Sequence, residues 1–198
     1  MHATDRRDFL KIGVAGATGL MANAHAVGSA SAAGYRSPSE RPVCGYIGAG
    51  IRYLNLVQEA TPFGPCAAIC DVDAQQLRNA KAVLEMLYQG AGVAPPRVDL
   101  CEDYRRVLDR SDIDVVIIAT PDHWHAKMAI EAMHAGKDVY CEKPLTLTIA
   151  EGRLISDAVK QTGRVFQVGP QQRSGPDFQP AAALLRDGRL GKPRRITS

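Results

Sequence analysis

The chain has 198 residues, 45% of them hydrophobic, and a formal net charge of +3 from 24 basic and 21 acidic side chains. This length suits one domain of ordinary size with a substantial core. The charges are interspersed, and no basic stripe carries interleaved aromatic residues, so the sequence gives no support for nucleic-acid binding. No apolar run reaches the roughly 18 residues of an integral membrane helix. The five cysteines include no Cys-x-x-Cys pair, and we interpret them as small buried hydrophobic residues.

The N-terminal segment has the features of an export signal. In order, these features are Arg6-Arg7, the apolar stretch Ile12–Ala22, and two cleavage sites of the form A-x-A at Ala24–Ala26 and Ala30–Ala32. Residues 1–33 are therefore predicted to be a twin-arginine (Tat) signal peptide, which would place the protein in the periplasm or another extracytoplasmic space. Residues 34–41 are predicted to be a linker.

A short apolar run followed by two glycines predicts the first strand and turn of a dinucleotide-binding fold. The strand is predicted over Pro42–Ile47 and the turn over Gly48-Ala49-Gly50. Glycine suits this turn because the backbone must bend sharply, and a side chain would keep a pyrophosphate from the amides of the next helix. Tyr53 stands where a third Gly or Ala is usual, so either the helix lies further out or the turn is remodelled around Ile51-Arg52. Arg52 is compatible with a phosphate contact and equally with a solvated helix surface.

An acidic residue ends the second predicted strand, Ala67–Cys70. Asp71 lies 21 positions after Gly50, the spacing at which an acid accepts hydrogen bonds from the adenosine ribose. A carboxylate there also repels a 2′-phosphate, which favours NAD over NADP. The alternative role for Asp71 is a helix N-cap, which Asp73 can fill instead.

Helices and strands alternate along the rest of the chain. Helices are predicted over 73–89, 104–110, 122–136 and 149–163, and strands over 97–100, 114–120, 137–141 and 164–168. This alternation predicts an α/β fold, a doubly wound parallel sheet (Rossmann fold) over 42–169. In such sheets the ligand binds beyond the carboxyl ends of the strands. The segments predicted at those ends are Gly48–Gly50, Asp71, Thr120–Asp122, Glu142–Pro144 and Gly169–Arg173.

Two motifs carry a resemblance to a known family. Thr120-Pro-Asp-His-Trp-His125 and Glu142-Lys-Pro144, together with the turn at Gly48, resemble the Gfo/Idh/MocA oxidoreductases, such as glucose–fructose oxidoreductase and inositol dehydrogenase. The resemblance implies hydride transfer between NAD (NADP is less favoured) and a hydroxyl of a small sugar or cyclitol. It also implies that 170–198 holds the crossing helix and the first strand of a truncated second α/β domain. A full-length protein would be a candidate homo-oligomer.

The resemblance implies roles for individual residues. The cofactor contacts that it implies, with Ile51 and Arg52 added from the turn, are Gly48, Ala49, Gly50, Ile51, Arg52, Asp71, Thr120, Pro121, Asp122, His125, Glu142, Lys143 and Arg173. Asp122 stands where relatives more often have Asn, and Tyr53 is the main departure from the family pattern. Lys143 is the implied catalytic residue, acting as a base or stabilising a developing alkoxide, which requires a desolvated lysine. Its Lys-Pro bond is implied to be cis.

Two other functions fit the same residues. Some exported relatives are NAD-dependent glycosidases that oxidise the sugar transiently, eliminate the glycosidic bond and recycle NAD. A non-catalytic nucleotide-binding fragment is the other alternative. A metal site is not predicted: His123 and His125 follow Pro121 at a helix start, where residues i and i+2 diverge by roughly 200°, and no third ligand is suitably spaced.

Overall fold

The computed structural model describes residues 41–189, 191–192 and 194–195. The predicted signal peptide, nearly all of the predicted linker, and residues 190, 193 and 196–198 of the predicted segment 170–198 lie outside the described residues. The described strands are β1 (Cys44–Ile47), β2 (Cys66–Cys70), β3 (Asp99–Cys101), β4 (Val115–Ile118), β5 (Asp138–Glu142) and β6 (Phe166–Gly169). The α-helices are α1 (Ile51–Ala60), α2 (Ala74–Gly90), α3 (Arg105–Leu108), α4 (Asp122–His134), α5 (Ile149–Thr162) and α6 (Phe178–Arg186), and a 3-10 helix covers Gln171–Ser174.

The six strands form one parallel sheet in the order β3-β2-β1-β4-β5-β6. The order reverses between β1 and β4, which pair directly with Ile47 opposite Ile118. This confirms the predicted doubly wound sheet. The central strands are apolar throughout because helices cover both faces of the sheet. The reversal opens a crevice at the carboxyl ends of β1 and β4, where such folds bind their ligands.

Side chains alternate along the strands between two cores. Ile47, Val116 and Ile118 pack with α3, α4 and α5 on one face of the sheet. Tyr46 and Ile117 pack with α1 and α2 on the other. The sheet is therefore held on both sides, and the loops at its carboxyl edge are carried on fixed strand ends. No helix within the described residues is long and apolar enough to cross a membrane.

The tyrosine that departs from the glycine pattern is part of the core. Tyr53 is fully buried, and its hydroxyl donates to the carbonyl of Ala80 on α2 at 3.2 Å. Its ring packs edge-on against Tyr46, with centroids 5.2 Å apart and planes at 81°. The ring thus lies between α1 and α2, and α1 still begins at Ile51, directly after the turn. Tyr53 leaves the phosphate side of the turn open.

Predicted and observed boundaries differ by one to three residues at most elements, and one difference matters for the site. The fifth strand was predicted over 137–141 but continues to Glu142, which is paired in register with Gly169 of β6. Glu142 is therefore part of the sheet, and its side chain is only 4% exposed. Within the predicted crossing segment, α6 presents Phe178, Leu184 and Leu185 at its surface.

Candidate functional site

A cleft of about 640 Å³ opens at the carboxyl ends of β1, β2 and β4. The turn after β1, the ends of β2 and β3, and the segment after β4 form its walls. Among the lining residues are Gly48, Gly50, Asp71, Val72, Tyr104, Thr120, Pro121 and Trp124. The predicted convergence of the first turn, Asp71 and the segment after β4 is therefore present in the structure.

The two glycines of the turn are needed for different reasons. Gly48 has φ of +93°, and a Cβ there would lie 2.5 Å from the carbonyl oxygen of Ala119 and 2.8 Å from the amide of Thr120. The protein itself thus excludes a side chain at this position. Gly50 has φ of −75°, and a Cβ would meet no heavy atom within 4 Å. Nothing in the described fold requires glycine at 50, so the open space beside it is room for a ligand.

The amides at the start of α1 are free of local capping side chains. The N-cap is Gly50, which has no side chain, and the first turn of α1 holds no acidic residue. By contrast, Asp73 caps α2, and Thr148 with Glu151 forms a capping box on α5. The first amides of a helix lack intrahelical partners and carry the positive end of the helix dipole. The N-terminus of α1 is therefore suited to an anionic group such as a pyrophosphate.

The two acids after β2 divide the predicted roles between them. Asp73 accepts from the amide of Gln75 at 2.7 Å and that of Gln76 at 3.4 Å, so it is the N-cap of α2. Asp71 lies at the cleft, where Oδ2 accepts from the Ala49 amide at 2.7 Å and Oδ1 from the Asp73 amide at 2.9 Å. Each carboxylate oxygen keeps further acceptor capacity. Asp71 is thus fixed against the turn and can still accept hydrogen bonds from a ribose.

The hydroxyl of Thr120 is buried at the end of β4 without a hydrogen-bond partner in the described structure. A buried unpaired polar group costs about 1–3 kcal/mol, so a ligand that meets this hydroxyl would recover part of that energy. Pro121 and Asp122 follow it and are exposed. Asp122 is the first residue of α4, and Pro121 is its N-cap.

Glu142, which is predicted to contact the nicotinamide ribose, makes several hydrogen bonds inside the protein. Oε1 accepts from Arg52 Nε at 2.8 Å and from the side-chain amide of Gln171, and the Tyr140 hydroxyl lies 3.4 Å away. Oε2 accepts from the backbone amide of Lys143 at 3.3 Å. The carboxylate therefore connects the first helix with the ends of β5 and β6. We call Arg52, Tyr140, Glu142 and Gln171 the Glu142 network.

Arg52 presents one unused end of its guanidinium in this network. Nε is held by Glu142, whereas Nη2 is buried and has no partner among the described residues. The side chain as a whole is 32% exposed. Arg52 occupies the second position of α1, next to the uncapped amides. The ion pair with Glu142 shows that Arg52 is not simply a solvated helix arginine, and its phosphate contact stays a prediction.

His125 also differs from its predicted contact with the cofactor. It is 1% exposed, with Nδ1 2.7 Å from the carbonyl oxygen of Pro144 and Nε2 2.8 Å from that of Thr120. Neither ring nitrogen is available to a ligand. The residue instead connects the segment after β4 to the segment after β5. His123 is exposed, so the two histidines diverge as predicted, and no group of three or more metal-binding side chains occurs in the part of the chain that the structure describes.

Lys143 is exposed at the end of β5, and its peptide bond to Pro144 is cis, as the resemblance implies. The described residues therefore do not provide the burial that the predicted base requires. Ile51 is 87% exposed at the start of α1, and Arg173 is exposed on the 3-10 helix after β6. The structure places Arg173 at the predicted edge of the sheet but shows it no contact with the cleft.

Several cleft residues were missed by sequence reasoning. Tyr104 donates to Glu131 Oε2 at 2.5 Å, and its ring centroid lies 6.5 Å from that of Trp124. With the 86% exposed side chain of Val72, these rings form an apolar end of the cleft. Gln171 lies within the predicted segment Gly169–Arg173, but its bond to Glu142 was not predicted. For Tyr104, the signal was available in the strand order of the predicted fold, since β3 lies beside β2 and the residues after Cys101 must meet those after Cys70.

The donor and acceptor set fits a dinucleotide. The uncapped amides of α1 and the open space at Gly50 suit a pyrophosphate, and Asp71 suits a ribose. The orphan Thr120 hydroxyl and the apolar end of the cleft offer further contacts. Residues 42–170 match the model of the oxidoreductase family with an NAD-binding Rossmann fold, GFO_IDH_MocA. The chain belongs to this family and contains its NAD-binding domain.

Individual relatives differ in how much of the chain they match. Scyllo-inositol 2-dehydrogenase (NAD(+)) of Bacillus subtilis is 42% identical over 92 residues, which are 46% of this chain and 27% of the relative. An α-N-acetylgalactosaminidase of Shewanella oneidensis is 33% identical over 209 residues, 97% of this chain and 45% of the relative. Levoglucosan dehydrogenase in complex with NADH is 30% identical with a TM-score of 0.60, covering 77% of this chain and 41% of that chain. The chain spans less than half the length of each of these relatives.

Proposed function

We propose that this protein is an NAD-dependent oxidoreductase that transfers a hydride between the cofactor and a hydroxyl-bearing carbon of a sugar or cyclitol. The observation that carries the proposal is the arrangement at the end of β1. There, α1 begins with uncapped amides, a Cβ at Gly50 would meet nothing, and Asp71 is held against the turn. Related proteins with the same family fold include a scyllo-inositol dehydrogenase and a levoglucosan dehydrogenase.

The residues of the chain divide the binding of NAD among them. The turn and the first amides of α1 hold the pyrophosphate, with Arg52 Nη2 as a charged donor beside them. Asp71 accepts from the adenosine ribose, and its charge disfavours a 2′-phosphate. The Thr120 hydroxyl, which is buried without a partner among the described residues, would donate to the cofactor. When bound, NAD supplies the hydride acceptor.

Lys143 is the proposed acid–base residue of the reaction. It would take the proton of the substrate hydroxyl or stabilise negative charge on that oxygen. Its backbone amide is held by Glu142, and the Pro144 carbonyl is held by His125. The side chain is exposed in the described chain, so this role requires desolvation by groups that the described residues do not supply.

Equilibrium dialysis of the 198-residue chain with NAD and NADP tests the proposal, followed by NADH formation with a panel of inositols and sugars. We expect NAD to bind more tightly than NADP. Asp71→Ala should weaken NAD binding by about 10- to 100-fold, because charged hydrogen bonds contribute roughly 1.5–3 kcal/mol. Equal NAD binding by the wild type and Asp71→Ala would contradict the assigned ribose contact. Lys143→Ala should bind NAD normally and lose turnover.

A glycosidase is the second candidate, and one observation favours it. The alignment with α-N-acetylgalactosaminidase covers 97% of the chain, whereas that with the scyllo-inositol dehydrogenase covers 46%. A nitrophenyl N-acetyl-α-galactosaminide separates the two functions in the same assay series. Nitrophenol release that depends on NAD without net NADH formation indicates the glycosidase. Net NADH formation with a free sugar or cyclitol, and no nitrophenol release, indicates the dehydrogenase.

We also propose that the protein is exported by the Tat pathway. The support is the order of Arg6-Arg7, the apolar stretch and the A-x-A sites, and the near-complete alignment above extends over this segment. Fusing residues 1–41 to a folded reporter and fractionating a bacterial host tests this proposal. The reporter should reach the periplasm, and replacing both arginines with lysine should retain it in the cytoplasm. Equal export of both fusions would refute it.

A further inference from the structure

Two cysteines lie side by side at the edge of the cleft. Cys70 and Cys101 are the last residues of β2 and β3, and they are direct partners across the parallel ladder. Neighbouring strands are about 4.8 Å apart and opposed side chains share a face, which is within the Cα separation of disulfides. Both cysteines are free. Cys70, which is 3% exposed, lines the cleft, and Cys101 is 6% exposed.

The two thiols are not equivalent. The Cys101 thiol donates to the Ile69 carbonyl at 3.8 Å. Interaction with the Cys70 thiol lowers the pKa of Cys101, with Arg106 and Arg110 acting in the same direction against burial and Asp103. Interaction with Cys101 and burial raise the pKa of Cys70. A thiolate is the reactive form of cysteine, so Cys101 is the nucleophile of the pair. Burial raises the pKa of both Cys44 and Cys141 to about 12, which leaves those thiols inert.

We propose that Cys70 and Cys101 form a redox-sensitive dithiol that a hydroperoxide converts into a disulfide at the edge of the cofactor cleft. The Cys101 thiolate attacks one oxygen of hydrogen peroxide and the O–O bond breaks, giving a sulfenic acid and hydroxide, which becomes water on protonation. The Cys70 sulfur then attacks the Cys101 sulfur. The S–S bond forms, and the sulfenic oxygen leaves as water with the Cys70 proton. Two thiols are oxidised and one peroxide is reduced to two waters.

The disulfide would act on the residue proposed to hold the ribose. Asp71 directly follows Cys70, and its amide donates to the Cys101 carbonyl at 3.1 Å. Its carboxylate holds the Ala49 amide of the turn. Drawing the two strand ends together shifts this acid, so oxidation lowers NAD affinity, and by linkage bound NAD disfavours the disulfide at equilibrium by the same factor. Because Cys70 lines the cleft, bound NAD also covers it and slows its oxidation. This coupling rests on the proposed NAD binding, whereas formation of the disulfide does not.

A second cysteine pair provides an internal control. Cys44 and Cys66 are also direct partners, on β1 and β2, but at the opposite end of the strands. They are 0% and 2% exposed. Each thiol donates to a backbone carbonyl, Cys44 to Pro42 at 3.8 Å and Cys66 to Ala68 at 3.6 Å. Cys101 likewise donates to a backbone carbonyl, so the two pairs share strand spacing, burial and bonding to the backbone. They differ in position, because Cys70 lines the cleft and Cys44 and Cys66 do not.

The experiment treats the folded 198-residue chain with hydrogen peroxide, blocks free thiols with N-ethylmaleimide, and maps peptides without reduction. The Cys70–Cys101 cross-link should form at least about tenfold faster than a Cys44–Cys66 cross-link, as expected for a thiol activated by a lowered pKa. Cys70→Ser should leave a Cys101 sulfenic acid that dimedone traps, and Cys44→Ala/Cys66→Ala should leave the cross-link unchanged. Circular dichroism monitors folding throughout.

Two results overturn the inference: no Cys70–Cys101 peptide from folded protein, or equal rates for the two pairs. The coupling between the cross-link and NAD binding is measured separately. NAD at saturating concentration should slow cross-linking, and the oxidised chain should bind NAD about tenfold more weakly, a difference of about 1.4 kcal/mol. NAD binding that is unaffected by the cross-link overturns the coupling. A chain that forms the cross-link but binds no NAD in either state contradicts the proposed function and leaves the dithiol established.

Discussion

Replacing Gly50 with aspartate is expected to remove NAD binding while leaving the fold intact. A Cβ at this position meets no heavy atom within 4 Å, and the backbone has ordinary φ, so the fold accepts a side chain. Aspartate is also a favourable N-cap and suits the helix dipole, so the free energy of unfolding should stay the same or rise by up to about 1 kcal/mol. The new carboxylate would lie where we place the pyrophosphate. Repulsion between charges about 4 Å apart amounts to several kcal/mol at an effective dielectric constant near 20, enough for a loss of at least about 100-fold.

Isothermal calorimetry with NAD and urea denaturation of the same preparations measure the two effects. Gly50→Asn is the matched control, because it caps α1 in the same way and fills the same volume without the charge. It should bind NAD more tightly than Gly50→Asp and more weakly than the wild type. Gly48→Ala, unlike Gly50→Asp, should lower the free energy of unfolding, because its Cβ would lie 2.5 Å from the Ala119 carbonyl oxygen. If Gly50→Asp binds NAD like the wild type, the pyrophosphate does not lie at this turn.

The sequence was sufficient to predict the role of a residue where that role depends on a single strand, turn or helix. The turn after β1 could be predicted because its requirements are local: a sharp bend and an unobstructed helix N-terminus. The choice between Asp71 and Asp73 could be framed from spacing, and the structure decided it because Asp73 satisfies the amides of α2. The position of Tyr53, which replaces the usual third glycine, could not be predicted from the sequence. Its ring is accommodated by Ala80 and Tyr46, which lie on other elements.

The protein partners of inward-facing motif residues could not be predicted from the sequence. His125 and Glu142 belong to motifs at the carboxyl ends of strands, and this position alone suggested that both contact the cofactor. His125 bonds to Thr120, five residues earlier, and to Pro144 on the next loop, and Glu142 bonds to Arg52, ninety residues earlier in the chain. The side chains of His125 and Glu142 are only 1% and 4% exposed, so these motif residues hold the arrangement of the loops. The spacing of residues along the chain does not indicate which side chains at a strand end are buried by the rest of the protein.

The Glu142 network leads to the second large effect, which is a coupled loss of stability and NAD affinity. Glu142→Gln removes the charge that holds Arg52 and should lower the free energy of unfolding by about 1–3 kcal/mol, less than for a fully buried pair because Arg52 is a third exposed. Arg52→Met should cost a similar amount, since it leaves the buried carboxylate without its cation. The double variant should lose about 1 kcal/mol less of its unfolding free energy than the two single losses added together, because the two side chains are in contact. Urea denaturation of the four proteins measures this cycle.

Nucleotide binding by the same four proteins separates two roles for Glu142. If Glu142 acts through Arg52 on the pyrophosphate, Glu142→Gln should weaken ADP and NAD by the same factor, and it should have no further effect in the Arg52→Met background. If Glu142 instead contacts the nicotinamide ribose, as its motif suggested, Glu142→Gln should weaken NAD in both backgrounds and leave ADP unchanged, since ADP lacks that ribose. The burial of the carboxylate and its 2.8 Å bond to Arg52 favour the first pattern. The unpartnered Nη2 of Arg52 then becomes the atom through which a buried acid on β5 controls affinity at the turn after β1.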